Sequence, residues 1–196
     1  MRRILVGLVL SLVAVGLFSG LAIANPQRDN SNGPHKDYIW GAATVPLPTP
    51  LGTLSANIAA DATTAPNGHD GVSGTFSTAF PATPIGPVSF SGTVVCLNAQ
   101  RNVGTTNDGE PIGSSAANWR GIVTQSNTAA VPIGAGVLAR TVDNGDGPPE
   151  DPPDTNIGFL TPPPGPNPTC PQTPFTGNAI TSGDLGVHDG GFTSAP

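Results

Sequence analysis

The sequence is poor in charge, in lysine and in aromatic residues. Charged residues make up 10% of its 196 residues and aromatic residues 5%, and Lys36 is the only lysine. Helices in soluble proteins are rich in Lys, Glu, Leu and Arg, so this composition argues against a helical domain. Seven basic residues stand against thirteen acidic ones. The chain therefore lacks the positive surface that a phosphate backbone requires, and we expect no nucleic-acid partner.

Recognisable catalytic motifs are also missing. The chain contains no Gly-x-Ser-x-Gly, no His-Glu-x-x-His and no phosphate-binding glycine loop. Its three histidines, His35, His69 and His188, are not spaced as ligands of one metal ion. We therefore expect no cofactor, and the sequence does not favour an enzyme.

The longest apolar run lies at the start of the chain. Met1-Arg2-Arg3 precedes it, and Ala22-x-Ala24 at its end fits a signal-peptidase site. We predict a signal peptide over residues 1–24 and a secreted protein with no membrane span after cleavage. The cleaved chain keeps five of the seven basic residues, which gives a net charge of −8. The alternative is an uncleaved membrane anchor, because residues 4–24 carry no charge and are long enough to span a bilayer.

The two cysteines, Cys96 and Cys170, both lie in the part predicted to be exported. An oxidising compartment favours a disulfide bond between them. Because the two residues are 74 positions apart, loop-closure entropy makes such a bond worth on the order of 4 kcal/mol. The alternative is a pair of buried free thiols. Neither cysteine has a second ligand at zinc spacing.

Glycine, proline, threonine, serine and valine dominate the composition, which is typical of strands and turns. Alternation is clearest where Val88, Phe90, Val94 and Cys96 share a face that we predict points inward. Eight short strands are predicted, at 37–41, 53–58, 72–80, 88–97, 119–125, 133–142, 154–159 and 185–188. The fold class is therefore all-β, with a single antiparallel β-sandwich or small β-barrel and Pro/Gly-rich loops.

Composition also predicts the domain boundaries. A polar flexible lead over residues 25–36 precedes the β-domain, which covers 37–190, and a C-terminal tail follows over 191–196. Two proline-rich stretches fall inside the domain. Residues 46–50 are predicted to form an extended connector, and residues 162–174 an insert that Cys170 tethers to the core.

An acidic turn follows the sixth predicted strand. Its acidic residues are Asp143, Asp146, Glu150, Asp151 and Asp154. Calcium prefers oxygen ligands from such loops, and its weak candidate ligands are Asp143, Asp146 and Asp154. The spacing does not fit an EF-hand, because Gly145 occupies the third ligand position. Asp154 and Glu150 are a second hypothesis, as a carboxylate pair for glycoside hydrolysis. The proline-rich surroundings favour a solvated acidic loop over both.

Six short motifs follow one another along the chain. They are Ser55-Ala56, Gly71 to Phe76, Val95-Cys96-Leu97-Asn98, Val142-Asp143-Asn144-Gly145, Pro152-Pro153-Asp154-Thr155 and Gly183 to Asp189. In these motifs the chain resembles a group of secreted bacterial β-domain proteins, and it departs from them in the long polar stretch 104–117. The resemblance implies secretion and a β fold. It implies no activity, because the group has no established one.

Three functional hypotheses follow. The first is a secreted, non-enzymatic binding or structural β-domain at or outside the cell envelope. The second is a small-molecule carrier with a barrel cavity, and the third is an extracellular enzyme with convergent polar groups in a cleft. The missing catalytic motifs favour the first. The sequence names no partner and no oligomeric state.

Overall fold

The computed structural model describes residues 36–49, 52–65, 71–101, 114–144, 153–171 and 177–190. All of them belong to the unit Asn32–Pro196. The predicted signal peptide, the predicted tail and residues 25–35 of the predicted lead lie outside these ranges. Across the described ranges, no helix has the length and apolar character needed to cross a membrane.

Within these ranges, nine strands form one antiparallel sheet, which curls into a half-barrel. The strands are β1 (Tyr38–Thr49), β2 (Gly52–Thr63), β3 (Ser73–Phe80), β4 (Val88–Arg101), β5 (Ser115–Ser126), β6 (Gly136–Asp143), β7 (Thr155–Thr161), β8 (Asn178–Ala179) and β9 (Ser182–His188). Their order in the sheet is β8-β7-β6-β5-β4-β3-β2-β1-β9. The all-β antiparallel prediction is confirmed, and the structure adds the two-residue strand β8.

Apolar side chains fill the inner face of the curled sheet. Among them are Trp119, Ile39, Phe76 and Val123, each at most 2% exposed. The Phe76 ring lies 5.5 Å from the Trp119 ring, centroid to centroid. Phe76 can lie there because a Cβ at Gly121 would overlap its ring.

β1 is longer than predicted because it continues through two prolines. Pro46 and Pro48 pair with residues of β2, where a connector was predicted. On its other side β1 pairs with β9 only as far as Thr44, whose carbonyl accepts a hydrogen bond from that side. Backbone groups two residues apart point the same way in a strand. The backbone nitrogens of both prolines, which carry no hydrogen, therefore face the part of the edge that β9 does not cover. Proline is tolerated at such a position.

A bulge in β4 changes which of its residues face the core. The register with β5 shifts between Val94 and Cys96, and beyond the shift Leu97 and Ala99 continue the buried face. Cys96 is only partly buried, so the prediction that it points inward is wrong. Simple alternation failed because a bulge adds one residue to the strand.

Cys96 and Cys170 form the predicted disulfide, with their Cα atoms 5.6 Å apart. The proline-rich segment 162–171 follows β7 and reaches β4 through this bond, although β5 and β6 lie between these strands in the sheet. The segment therefore passes over the outer face of the sheet. A disulfide bond is compatible with an extracellular location.

Breaking the disulfide should destabilise the domain. The bond closes a loop of 74 residues, so Cys96→Ser should lower the free energy of unfolding by about 4 kcal/mol. Chemical denaturation of the purified chain measures the loss. Cys96→Ser combined with Cys170→Ser should lose the same amount, because both variants lack the same bond. A double variant as stable as the wild type would contradict the expectation.

Candidate functional site

Two hairpin turns meet at one end of the sheet. The β3–β4 turn and the β5–β6 turn lie at this end because consecutive strands alternate in direction. Asn127 joins them, since its Oδ1 accepts a hydrogen bond from Ser89 N at 2.8 Å and its Nδ2 donates to Pro87 O at 3.1 Å. The end of β7 lies at the same end, where Thr161 pairs with Gly136.

Each of these two turns carries the tripeptide Pro-Ile-Gly. Ile85 is 74% exposed and Ile133 is 70% exposed. A backbone hydrogen bond of 3.0 Å closes each turn. Gly86 and Gly134 have φ angles of 97° and 89°, a conformation that favours glycine. The turns therefore hold both isoleucines in solvent.

The surroundings of the two isoleucines are uncharged. Segments 81–87, 127–135 and 159–171 contain no charged residue. Leu160, close to the end of β7, is 48% exposed. We call this region the hairpin-end surface and define it by Ile85, Ile133 and Leu160. Exposed apolar side chains at one end of a domain make that end a candidate interaction site.

The sequence interpretation missed this surface. Ile133 was predicted to begin a strand, but β6 begins at Gly136 and Ile133 lies in the preceding turn. Ile85 was not singled out. The signal that could have found both residues is the repeated Pro-Ile-Gly tripeptide, of which a third copy, residues 111–113, lies outside the described residues.

Three carboxyl groups lie where β9 passes the end of β6 and the start of β7. Asp143 Oδ2 accepts a hydrogen bond from Val187 N at 2.9 Å. Asp154 Oδ1 accepts one from Asn144 N at 2.9 Å, and the side chains of Asp154 and Asp184 are hydrogen-bonded to each other. We call Asp143, Asp154 and Asp184 the carboxylate seam. The interpretation as a freely solvated loop does not hold for Asp143 and Asp154, because both bond the backbone.

Burial raises the pKa of Asp154 from 3.8 to about 7. The hydrogen bond from Asn144 N opposes this rise, whereas the hydrogen bond with Asp184 and the charges of Asp143 and Asp184 add to it. Asp154 therefore holds a proton below neutral pH. That proton lets two carboxyl groups lie side by side.

The predicted calcium ligands are only partly brought together. Asp143 and Asp154 lie close enough to interact, while Asp146 and Glu150 lie outside the described residues. Within the described ranges, no three or more His, Cys, Asp or Glu side chains form a group that could hold a metal ion. The calcium site stays a prediction.

The paired strands β1 and β9 carry His188 and two aromatic residues, Tyr38 and Trp40. His188 is exposed, and its ring lies 5.9 Å from the Tyr38 ring. Trp40 covers Gly186 on the neighbouring strand, where a Cβ would overlap the indole. His35 and His69 lie outside the described residues.

Asp37 is a fully buried carboxylate to which the sequence analysis assigned no role. Its Oδ2 accepts a hydrogen bond from Ala99 N at 2.9 Å, and its Oδ1 accepts one from Gly190 N at 3.1 Å. Its own N–H donates to Thr64 Oγ1 at 2.9 Å. Asp37 thereby joins the start of β1 to β4 and to the residues that follow β9.

Three of the motifs noted in the sequence converge at the seam. The motifs at 142–145, 152–155 and 183–189 supply Asp143, Asp154, and the β9 residues that these two aspartates contact. Their common role in this fold is to hold β9 against β6 and β7. The β fold that the resemblance implies is confirmed, and secretion stays a prediction.

Asp154→Asn should change how stability depends on pH. A carboxyl whose pKa is raised on folding contributes stability below pH 3.8, and loses it as the pH rises to about 7. The variant has no carboxyl at residue 154 to ionise, so its stability relative to the wild type should rise between pH 3.8 and about 7. Above pH 7 we expect the free energy of unfolding of the variant to exceed that of the wild type by about 1–2 kcal/mol. The difference is no larger because solvent screens a half-exposed group. Denaturation at pH 4, 6 and 8 measures it, with the exposed Asp61→Asn as control; a constant difference would refute it.

Asp37→Ala should be among the most damaging single substitutions. It leaves the N–H groups of Ala99 and Gly190 without their acceptors inside the protein, at a cost of roughly 3–5 kcal/mol. Asp37→Asn keeps one acceptor oxygen and should lose less. Denaturation of both variants measures the two losses. Asp61→Ala, on exposed β2 surface, should stay within about 0.5 kcal/mol of the wild type. Equal effects at the two aspartates would contradict the structural role of Asp37.

Comparison with known proteins assigns no family to the chain. No family model matches it, no curated protein matches it, and no solved structure matches it. The function is therefore inferred from the geometry of the chain's own residues.

Proposed function

We propose that the chain is an exported, non-enzymatic β-domain that acts at or outside the cell envelope by binding an uncharged, apolar partner through the hairpin-end surface. The observation that carries this proposal is the pair of isoleucines, at least 70% exposed on one uncharged end. The predicted signal peptide and the disulfide support export.

The hairpin-end surface is suited to binding because it is already ordered. Burying one isoleucine side chain contributes about 1.5–3 kcal/mol. Hydrogen-bonded turns hold Ile85 and Ile133, and Asn127 fixes the turns to each other. Little conformational freedom is left to lose when a partner covers them, so more of the burial energy contributes to affinity.

The polar groups of the core support binding over catalysis. Thr141 Oγ1 accepts hydrogen bonds from Trp119 Nε1 at 3.3 Å and from Asn156 Nδ2 at 2.8 Å. The carboxylate of Asp37 bonds backbone N–H groups. These groups bond one another or the backbone. A carrier cavity would need the space that Trp119 and Phe76 occupy.

Ile85→Ser combined with Ile133→Ser should weaken binding. We expect the fluorescently labelled secreted chain to bind saturably to envelope fractions of the cells that produce it. The double variant should bind at least tenfold more weakly, because both apolar contacts are lost. Binding by the wild type should change little with salt, since the surface carries no charge to be screened.

The matched control is Ala82→Ser combined with Ala129→Ser, two exposed changes in the same turns. It should bind like the wild type. Equal loss in both double variants, or binding that 0.5 M NaCl removes, would contradict the proposal. A hydrolytic activity of the purified chain that a change of one inward polar residue removes would overturn its non-enzymatic part.

A further inference from the structure

One short segment joins the two edges of the sheet. β8 pairs with Thr155 and Asn156 at the start of β7, and β9 pairs with β1 over seven residue pairs. Between them, Ile180 N donates to Asp154 O at 2.8 Å and Thr181 N donates to Thr44 O at 2.9 Å. Residues 178–190, the closing segment, therefore fill a slot between the edges of β7 and β1.

The slot recognises the closing segment mainly through its backbone. Leu185 and Val187 are its apolar anchors, at 0% and 5% exposure, while the side chains of Ser182, Asp184 and His188 are exposed. Backbone hydrogen bonds combined with pockets for alternate side chains are the mode by which proteins bind an added β-strand.

The geometry of the slot selects a particular strand. Leu185 and Val187 fill inner positions two residues apart, and the residue between them must be glycine, because the Trp40 indole covers Gly186. Gly183 has a φ angle of 83° and lies against the backbone of Ala42. The sequence of the closing segment has the required residue at each of these positions. A second copy of the chain has the same segment.

The disulfide limits where the closing segment can go. Cys170 is bonded to β4 and lies eight residues before β8. Eight residues span at most about 28 Å even when fully extended. While the bond is intact, the segment is held beside the slot of its own chain. Without the bond, the whole stretch after β7 is tethered only by its peptide connection.

We propose that the slot between β7 and β1 is a strand-acceptor site whose second ligand is the closing segment of another copy of the same chain. The Cys96–Cys170 bond keeps the segment in its own slot. When the bond is absent, two copies exchange closing segments reciprocally and form a symmetric dimer, in which every contact of the monomer is reproduced. The proposal is independent of the partner of the hairpin-end surface.

Cysteines placed in register test the exchange. In a background of Cys96→Ser and Cys170→Ser, one chain carries Thr44→Cys and a second chain, with a longer tag, carries Ser182→Cys. Residues 44 and 182 are paired across β1 and β9. After the chains are refolded together and oxidised, non-reducing electrophoresis should show a disulfide between the two chains.

The matched control replaces Ser182→Cys by His188→Cys. Residue 188 pairs with Tyr38, six positions and about 20 Å from residue 44. The cross-link in register should form at least tenfold more than the control. Equal yields from the two pairs, or no cross-link between chains that circular dichroism shows to be folded, would overturn the proposal.

A direct binding measurement covers the case in which those variants fail to fold. A fluorescent peptide of residues 178–190 is titrated into the full wild-type chain, oxidised or reduced, and the control peptide carries Leu185→Asp. The native-sequence peptide should bind the reduced chain at least tenfold more tightly than the oxidised chain. No binding to the reduced chain, or equal binding of both peptides, would overturn the proposal.

Discussion

The joining of the two sheet edges is the constraint on which the rest of the structure depends. A meander of seven strands leaves unpaired N–H and C=O groups along β1 and β7. Such groups destabilise the fold when they are buried, and when they are exposed they can pair with another chain. The closing segment pairs with both edges. Where no strand is available, Asp143 and Asp37 supply carboxylate acceptors to the backbone N–H groups of Val187 and Gly190. Such charge-assisted bonds are about twice as strong as neutral ones.

This closure also explains where the charges lie. Carboxylates are needed at the end where β9 passes β6 and β7, and Asp143, Asp154 and Asp184 all lie there. The opposite end is free to be uncharged, and its turns present Ile85 and Ile133. One end of the domain is thus committed to holding the sheet together. The other can face a partner without disturbing that closure.

Local features of the fold were predictable, and its long-range features were not. Alternation that begins at Val88 and turn residues between apolar runs were enough to predict a β-domain, because both follow from the period of a strand. The two-residue strand β8 is too short to show an alternating pattern of apolar and polar residues. The bulge at Cys96 reversed the predicted face of β4. Residues 46–50 were predicted to form a connector, because sequence does not show that the prolines of β1 lie beyond the stretch that β9 covers.

The site was less predictable than the fold for the same reason. Asp143 and Val187 are 44 residues apart and meet only because the sheet curls. Composition could mark the acidic turn but not its backbone partners. The exposed isoleucines do carry a local signal, the repeated Pro-Ile-Gly, whose meaning depends on both turns lying at the same end.

The prolines of β1 also limit which further strands can add to the sheet. The uncovered stretch of the β1 edge holds Pro46 and Pro48, which cannot donate the hydrogen bonds that a further strand needs. Fibrillar growth from this edge is therefore blocked, because each added layer must bond the one below it. Many copies can crowd at high local concentration without polymerising through that stretch. Two imino acids thus act as a built-in safeguard against aggregation.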